Sequence, residues 1–241
     1  MKRSLPFLII LVALLAALGA FLYLKSKATE PATTPTAPVP GTANTQRNAT
    51  DAFATSTPII TGETGAQPPH ALGPTDAPVT LEEFGDFQCP PCAMLHPELK
   101  KIKNVYGAKV RIVFREFPLV PSHPHALSAA RAAEAAGMQG KFWEMHAMIY
   151  ENQRSWHSVF DARPIFEQYA TSIGLNMERF KNDLTSPTVE QRIFLDGKRA
   201  RALNVKGTPT VFLNGREVPF ESLPAESLGS LIDAELARAG R

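Results

Sequence analysis

The sequence predicts an α/β fold with a parallel strand–helix–strand unit, a long helical insertion and a closing hairpin and helix. Three observations carry this. Val79 to Phe84 is a short apolar, β-branched run, and Lys109 to Phe117 is an alternating one, with a helical pattern between them. From about 122 to 203 the apolar spacing is helical throughout. Asn214-Gly215 then separates two strand-like runs, the pairing that a tight hairpin turn requires.

The N-terminus reads differently from the rest. Lys2 and Arg3 precede Leu5 to Leu24, which is almost entirely apolar. About 20 such residues are needed to cross a bilayer as a helix. Residues 1–27 are therefore expected to be a membrane anchor or signal segment. The apolar run continues past Ala17-Leu18-Gly19 through Phe21-Leu22-Tyr23-Leu24, which favours an uncleaved anchor over a cleaved signal. Lys2 and Arg3 favour a cytoplasmic N-terminus and an extracytoplasmic domain, in the periplasm or at the cell surface, although Lys25 and Lys27 weaken the asymmetry. That compartment permits stable disulfides.

Residues 28–69 are rich in Ala, Thr and Pro without apolar periodicity, and are expected to be a disordered linker. Within it, Thr57-Pro58-Ile59-Ile60 is an apolar spot that would pack on the domain. The folded domain is expected over 70–241. Gly73 to Pro78 is a turn cluster that leads into the first strand.

Only two cysteines occur, Cys89 and Cys92, in Cys89-Pro90-Pro91-Cys92. They sit where the strand hands over to the helix of Ala93 to Tyr106. A helix N-terminus presents unpaired N–H groups and a partial positive charge, which stabilise a thiolate. Cys89 is read as the nucleophile with a lowered pKa, and Cys92, one turn in, as the resolving thiol. Pro91 suits the first helical position, where a missing N–H costs nothing. Neither proline donates, so the amides of Cys92 and Ala93 are left as local donors. The motif has no His or Lys to add positive charge, so the lowering is expected to be moderate.

Other chemistries are weaker. The formal charge of +2 and the lack of a basic run argue against nucleic acid. A zinc site on this pair needs two more ligands, and the six histidines show no such spacing. His96, on the motif helix, keeps copper handling open as a rival. No cofactor is expected beyond the Cys89–Cys92 pair itself.

Beyond the second strand, Ala126 to Ala136, Phe142 to Ile149, Ile165 to Ile173, Met177 to Leu184 and Val189 to Leu203 read as helices punctuated by Gly140, Gly174 and Pro187. Their aromatics and methionines are expected to be core. After the hairpin, Pro219 suits an edge strand, and Leu228, Leu231, Ile232 and Leu236 mark a last amphipathic helix.

Taken together, residues 70 to 238 resemble the thioredoxin superfamily, and within it the DsbA-like thiol–disulfide oxidoreductases. The resemblance rests on Cys89-Pro90-Pro91-Cys92 at a strand–helix junction and on Glu83, six residues before Cys89, where the superfamily has a buried acid. It rests also on Pro97, where the motif helix kinks, and on Gly207-Thr208-Pro209-Thr210 before a hairpin, like the family's cis-proline loop. The helical insertion completes it. The resemblance implies a thioredoxin-like fold with an inserted helical domain, and thiol–disulfide exchange on cysteine-containing proteins outside the cytoplasm. It further implies a redox partner that resets the pair, Glu83 as proton shuttle for Cys92, and Thr208 and Pro209 as substrate-binding residues. Strand alternation puts Glu82 and Glu83 on opposite faces, so only one is expected to face the core. Pro91 stands where DsbA proteins commonly have histidine. A disulfide donor is expected, with reductase, isomerase, or a non-enzymatic chaperone or metal carrier as alternatives.

Overall fold

The computed structural model describes residues 53–59 and 61–240. The apolar stretch 5–24 and the first part of the expected linker lie outside the described residues. Among the described residues no helix is long and apolar enough to cross a membrane.

A five-stranded sheet has the order β1-β3-β2-β4-β5. β2 (Val79–Gly85) and β3 (Val110–Glu116) are parallel, with Val79 opposite Val110 and Gly85 opposite Glu116. α1 (Pro90–Tyr106) is their crossover. β4 (Thr210–Leu213) runs antiparallel to β2 with Leu81 opposite Leu213. β5 (Arg216–Glu217) completes the hairpin around Asn214 and Gly215, whose φ values of 48° and 79° are those a primed turn requires. Pro219 lies two residues beyond this edge strand. β1 (His70–Leu72) pairs antiparallel with the free edge of β3. Three residues are too few to show alternation, so the sequence carried no strand signal there.

The insertion holds α2 (Ala126–Gly137), α3 (Phe142–Glu151), α4 (Gln153–Trp156), α5 (Arg163–Ser172), α6 (Met177–Asp183) and α7 (Pro187–Ala202). α2 is its axis. Ala129, Ala130, Ala132, Ala133, Ala135 and Ala136 are all fully buried, because methyl side chains on every face let neighbours approach closely. α8 (Ala225–Ala239) closes the fold. It buries Leu228, Leu231 and Ile232 with Leu99 and Ile102 of α1 against Leu81 and Val211. Each such side chain contributes about 1.5–3 kcal/mol on full burial.

Two expectations are corrected. Glu82 and Glu83 are both buried. α1 and α8 cover one face of β2, and α7 covers the other, where Ala200 and Leu203 pack on Phe84 and Phe212. A strand covered on both sides has no solvent face to offer. Glu82 is compensated by Arg115 Nε at 2.7 Å and Arg199 Nη2 at 2.6 Å.

The expected linker is in part structured. Phe53 is buried in the core beside α8, and Ile59 N donates to Gly215 O at 2.7 Å, although the Ile59 side chain stays exposed. Ala66 is fully buried, its N–H on Asp196 Oδ1 at 2.7 Å and its carbonyl on Arg115 Nη1 at 2.8 Å. Arg115 Nη2 reaches Thr64 O, and Arg199 Nη1 reaches Glu63 O. The segment is held by charged side chains gripping its backbone, an attachment that leaves no hydrophobic period to read.

Candidate active site

Cys89 is the N-cap residue of α1, with φ −71° and ψ 120°. The helix begins at Pro90, three residues earlier than the apolar pattern indicates, with prolines in its first two positions. The turn before it is built on Asp86. Its Oδ1 accepts from Gln88 N at 2.7 Å, a short-range turn that an Asp two residues upstream favours. Its Oδ2 lies 2.8 Å from both Leu119 N and His123 Nδ1, tying the turn to the loop after β3. From the insertion, Gln153 Nε2 donates to Phe87 O at 2.7 Å and to Cys89 O at 3.0 Å. Gln88 reaches back, its Nε2 to His157 O and its Oε1 to His125 N.

Sequence reasoning missed Asp86, Gln88 and Gln153. Asp86 carried the one available signal, an Asp three residues before the nucleophile. Gln153 lies 64 residues from Cys89, with no spacing to connect them.

Both cysteines are free thiols. Cys89 Sγ faces the second loop and lies 3.3 Å from the Thr208 carbonyl oxygen. The Thr208–Pro209 peptide is cis. Hydrogen bonds from the Cys92 thiol, then from Thr208 and the Cys92 amide, favour the Cys89 thiolate. They outweigh burial and the Asp86 charge, and lower the Cys89 pKa to about 6. Of the two amides expected to serve the sulfur, that of Cys92 contributes less than the Cys92 thiol, and that of Ala93 is committed to the Cys89 carbonyl at 3.2 Å as a helix bond. Cys92 is fully buried, and burial, its bond to Cys89 and the Glu83 charge hold its pKa well above the ordinary thiol value. One thiol is therefore ready to ionise and its neighbour is not.

Glu83 lies behind the pair, and Oε1 has no hydrogen-bond partner among the described residues. Burial, then the Cys89 charge, raises its pKa to about 8. Tyr150 is also buried here. Burial comes first, then Cys92 and Glu83, in pushing its hydroxyl well above the ordinary phenol range. Gly85 makes room for it. A Cβ there would sit 2.4 Å from the Phe114 ring and 3.0 Å from Tyr150 Oη.

Beside the motif, a groove of about 380 Å3 is lined by Pro91, Met94, Pro209, Phe220, Leu223 and Pro224. Met94 and Phe220 are exposed, so an apolar surface flanks Cys89 on the cis-peptide side. Pro90 is exposed at the tip. The structure thus brings together Cys89, Cys92, Glu83, Thr208 and Pro209, with Pro90 and Pro91 forming the rim.

Comparison with known proteins agrees with this fold. A family model described as Thioredoxin matches residues 65–234. The chain belongs to the thioredoxin family, and its fold is that of the DsbA-like thiol–disulfide oxidoreductases. BdbD from Bacillus subtilis, in its oxidised form, is similar with a TM-score of 0.64 and 23% identity, over 75% of this chain and 100% of that one. A thioredoxin-like oxidoreductase from Silicibacter pomeroyi DSS-3 gives 0.60 and 26%, over 71% and 94%. Among curated proteins, a protein named Na(+)/H(+) antiporter NhaA 3 from Salinispora tropica is 38% identical over 176 residues, 71% of this chain and 26% of that protein. The chain spans about a quarter of the length of the curated relatives it matches.

Proposed function

We propose that the protein is a disulfide donor to cysteine-containing proteins outside the cytoplasm, acting through the Cys89–Cys92 pair. The observation that carries this is the placing of the two thiols, Cys89 at the N-cap of α1 and 3.3 Å from the Thr208 carbonyl, Cys92 fully buried behind it, an arrangement that lowers the first pKa and raises the second. A stabilised Cys89 thiolate favours the reduced enzyme, and so favours passing the disulfide on. A substrate thiolate attacks Cys89 Sγ, and Cys92 leaves and takes a proton from the Glu83 carboxyl. The substrate's second thiolate then displaces Cys89, which leaves as the thiolate.

In this reading Thr208 and Pro209 hold the substrate as a short added strand, and the apolar groove beside them takes its side chains. Pro90 and Pro91 shape the rim of the motif. The apolar run 5–24 after Lys2 and Arg3 supports a tether to the membrane, with a redox partner outside the cytoplasm that reoxidises the pair. The low Cys89 pKa without a motif histidine supports donor over reductase or isomerase.

Equilibration with glutathione redox buffers tests the direction. The expected potential is more oxidising than about −230 mV, the lower edge of the glutaredoxin range. A potential near that of thioredoxin, about −270 mV, reverses the assignment to reductase. Refolding of a reduced substrate, with Cys89→Ser as control, separates either enzyme from a chaperone or metal carrier.

A further inference from the structure

The exchange proposed above moves a proton to or from Cys92, which is fully buried. A cavity of about 210 Å3 lies between β2, α1 and α3. Exposed Lys100 and Asn104 stand at its outer end, and buried Glu83 and His146 line its inner wall with His96. Glu83 Oε1 and both ring nitrogens of His146 have no hydrogen-bond partner among the described residues. Polar atoms left bare against a space of this size mark a place for water.

His146 is otherwise hard to account for. Its ring packs 4.7 Å from Phe114 and 4.9 Å from Tyr150, centroid to centroid. A phenylalanine would fill that space without burying two bare nitrogens. Burial, then the charges of His96 and His70, holds the imidazole neutral. A neutral imidazole has one donor and one acceptor nitrogen. It can therefore take a proton on one side and release another on the far side without becoming charged. The titratable groups around it are Glu83 from β2, His96, Lys100 and Lys103 from α1, Tyr150 on α3 and His70 on β1. His96 is in turn 3.4 Å from Glu151.

We propose that this cavity is the proton route of the redox pair, with His146 passing protons through water between Glu83 and the solvent at Lys100 and Asn104. The proposal rests on the oxidoreductase reading. When Cys92 leaves as thiolate, it takes the Glu83 proton and becomes a neutral thiol. Glu83, now a carboxylate, is reprotonated through the cavity from bulk water. In reoxidation Cys92 gives its proton to Glu83 and attacks, and the proton leaves by the same way. No electrons move along the route.

The test uses the full chain carrying a mixed disulfide between Cys89 and glutathione. Stopped-flow measurement follows its resolution by Cys92 from pH 5 to 9, and the Cys89 alkylation midpoint is measured beside it. His146→Phe is expected to slow resolution by about tenfold or more. The alkylation midpoint stays where it was, and in His146→Ala, which leaves room for a free ring, added imidazole restores part of the rate. An unchanged rate and pH profile in folded His146→Phe overturns the proposal. If that variant does not fold, Ala147→Leu decides, since Ala147 lines the same cavity and the larger side chain narrows it. A slower step there supports the route and an unchanged one overturns it. Failure of the wild-type chain to exchange disulfides at all would instead remove the functional reading on which the route depends.

Discussion

Cys89 Sγ and the Thr208 carbonyl oxygen are 3.3 Å apart, and this is where the two loops of the site meet across 119 residues of chain. The thiol donates to that carbonyl. Ionised, the sulfur can no longer donate to it and is stabilised chiefly by Cys92. Protonation state and substrate-side loop are therefore read by one atom.

Alkylation of Cys89 by iodoacetamide is expected to rise with a midpoint near pH 6. Thr208→Val removes one donor and moves the midpoint upward by less than about one unit, because the Cys92 bond is the larger cause. A wild-type midpoint above about 8 would sink the thiolate argument. The same lowering makes stability depend on pH. The contribution is present above 9.0 and is lost as pH falls through about 6. Reduced wild type should gain on Cys89→Ser between pH 6 and 9 in thermal melts.

Asp86→Asn is expected to lower the Cys89 midpoint further, since the Asp86 charge opposes the thiolate. It should also cost about 1–3 kcal/mol in denaturant unfolding, because the carboxylate accepts from Gln88, Leu119 and His123. A more reactive but less stable protein is the expected pair of results. A midpoint that rises refutes the electrostatic account.

Glu83 gives the opposite pH trend. Its folded pKa is raised from 4.5 to about 8, so its contribution is complete below 4.5 and is lost as pH rises through 8. Glu83→Gln should therefore be of similar stability to wild type at pH 4 and more stable by roughly 3–5 kcal/mol at pH 9. Equal melting curves at both pH values would show that Glu83 is not buried as a carboxylic acid.

Arg115→Met is expected to destabilise by about 3–5 kcal/mol, because it strips the buried Glu82 and Asp196 of a shared cation. It also frees the carbonyls of Thr64 and Ala66. Limited proteolysis should then cut near residues 61–67 in conditions where wild type resists. Resistance equal to wild type would mean that the segment is held by other contacts.

The parts of this molecule legible from its residues are those where chemistry is local. Cys89 and Cys92 are three apart on one turn, the β2–α1–β3 pattern has the right periods, and Gly207 to Thr210 precedes a plain hairpin. Illegible were features made by distant partners. Glu82 reads as a solvent-facing strand residue until α7 brings Arg199 over it. Ala66 reads as linker until Asp196, 130 residues on, takes its N–H. β1 exists because β3 has an open edge, a property of the partner more than of His70-Ala71-Leu72.

The two bonds from Gln153 to the carbonyls of Phe87 and Cys89 make the helical insertion a brace for the reactive turn. Trimming the chain to a minimal strand-and-helix core would strand the Phe87 carbonyl, leave the Cys89 carbonyl with Ala93 N alone, and let the sulfur drift from its aim. Any grafting of this motif onto a smaller scaffold must bring a substitute for that amide.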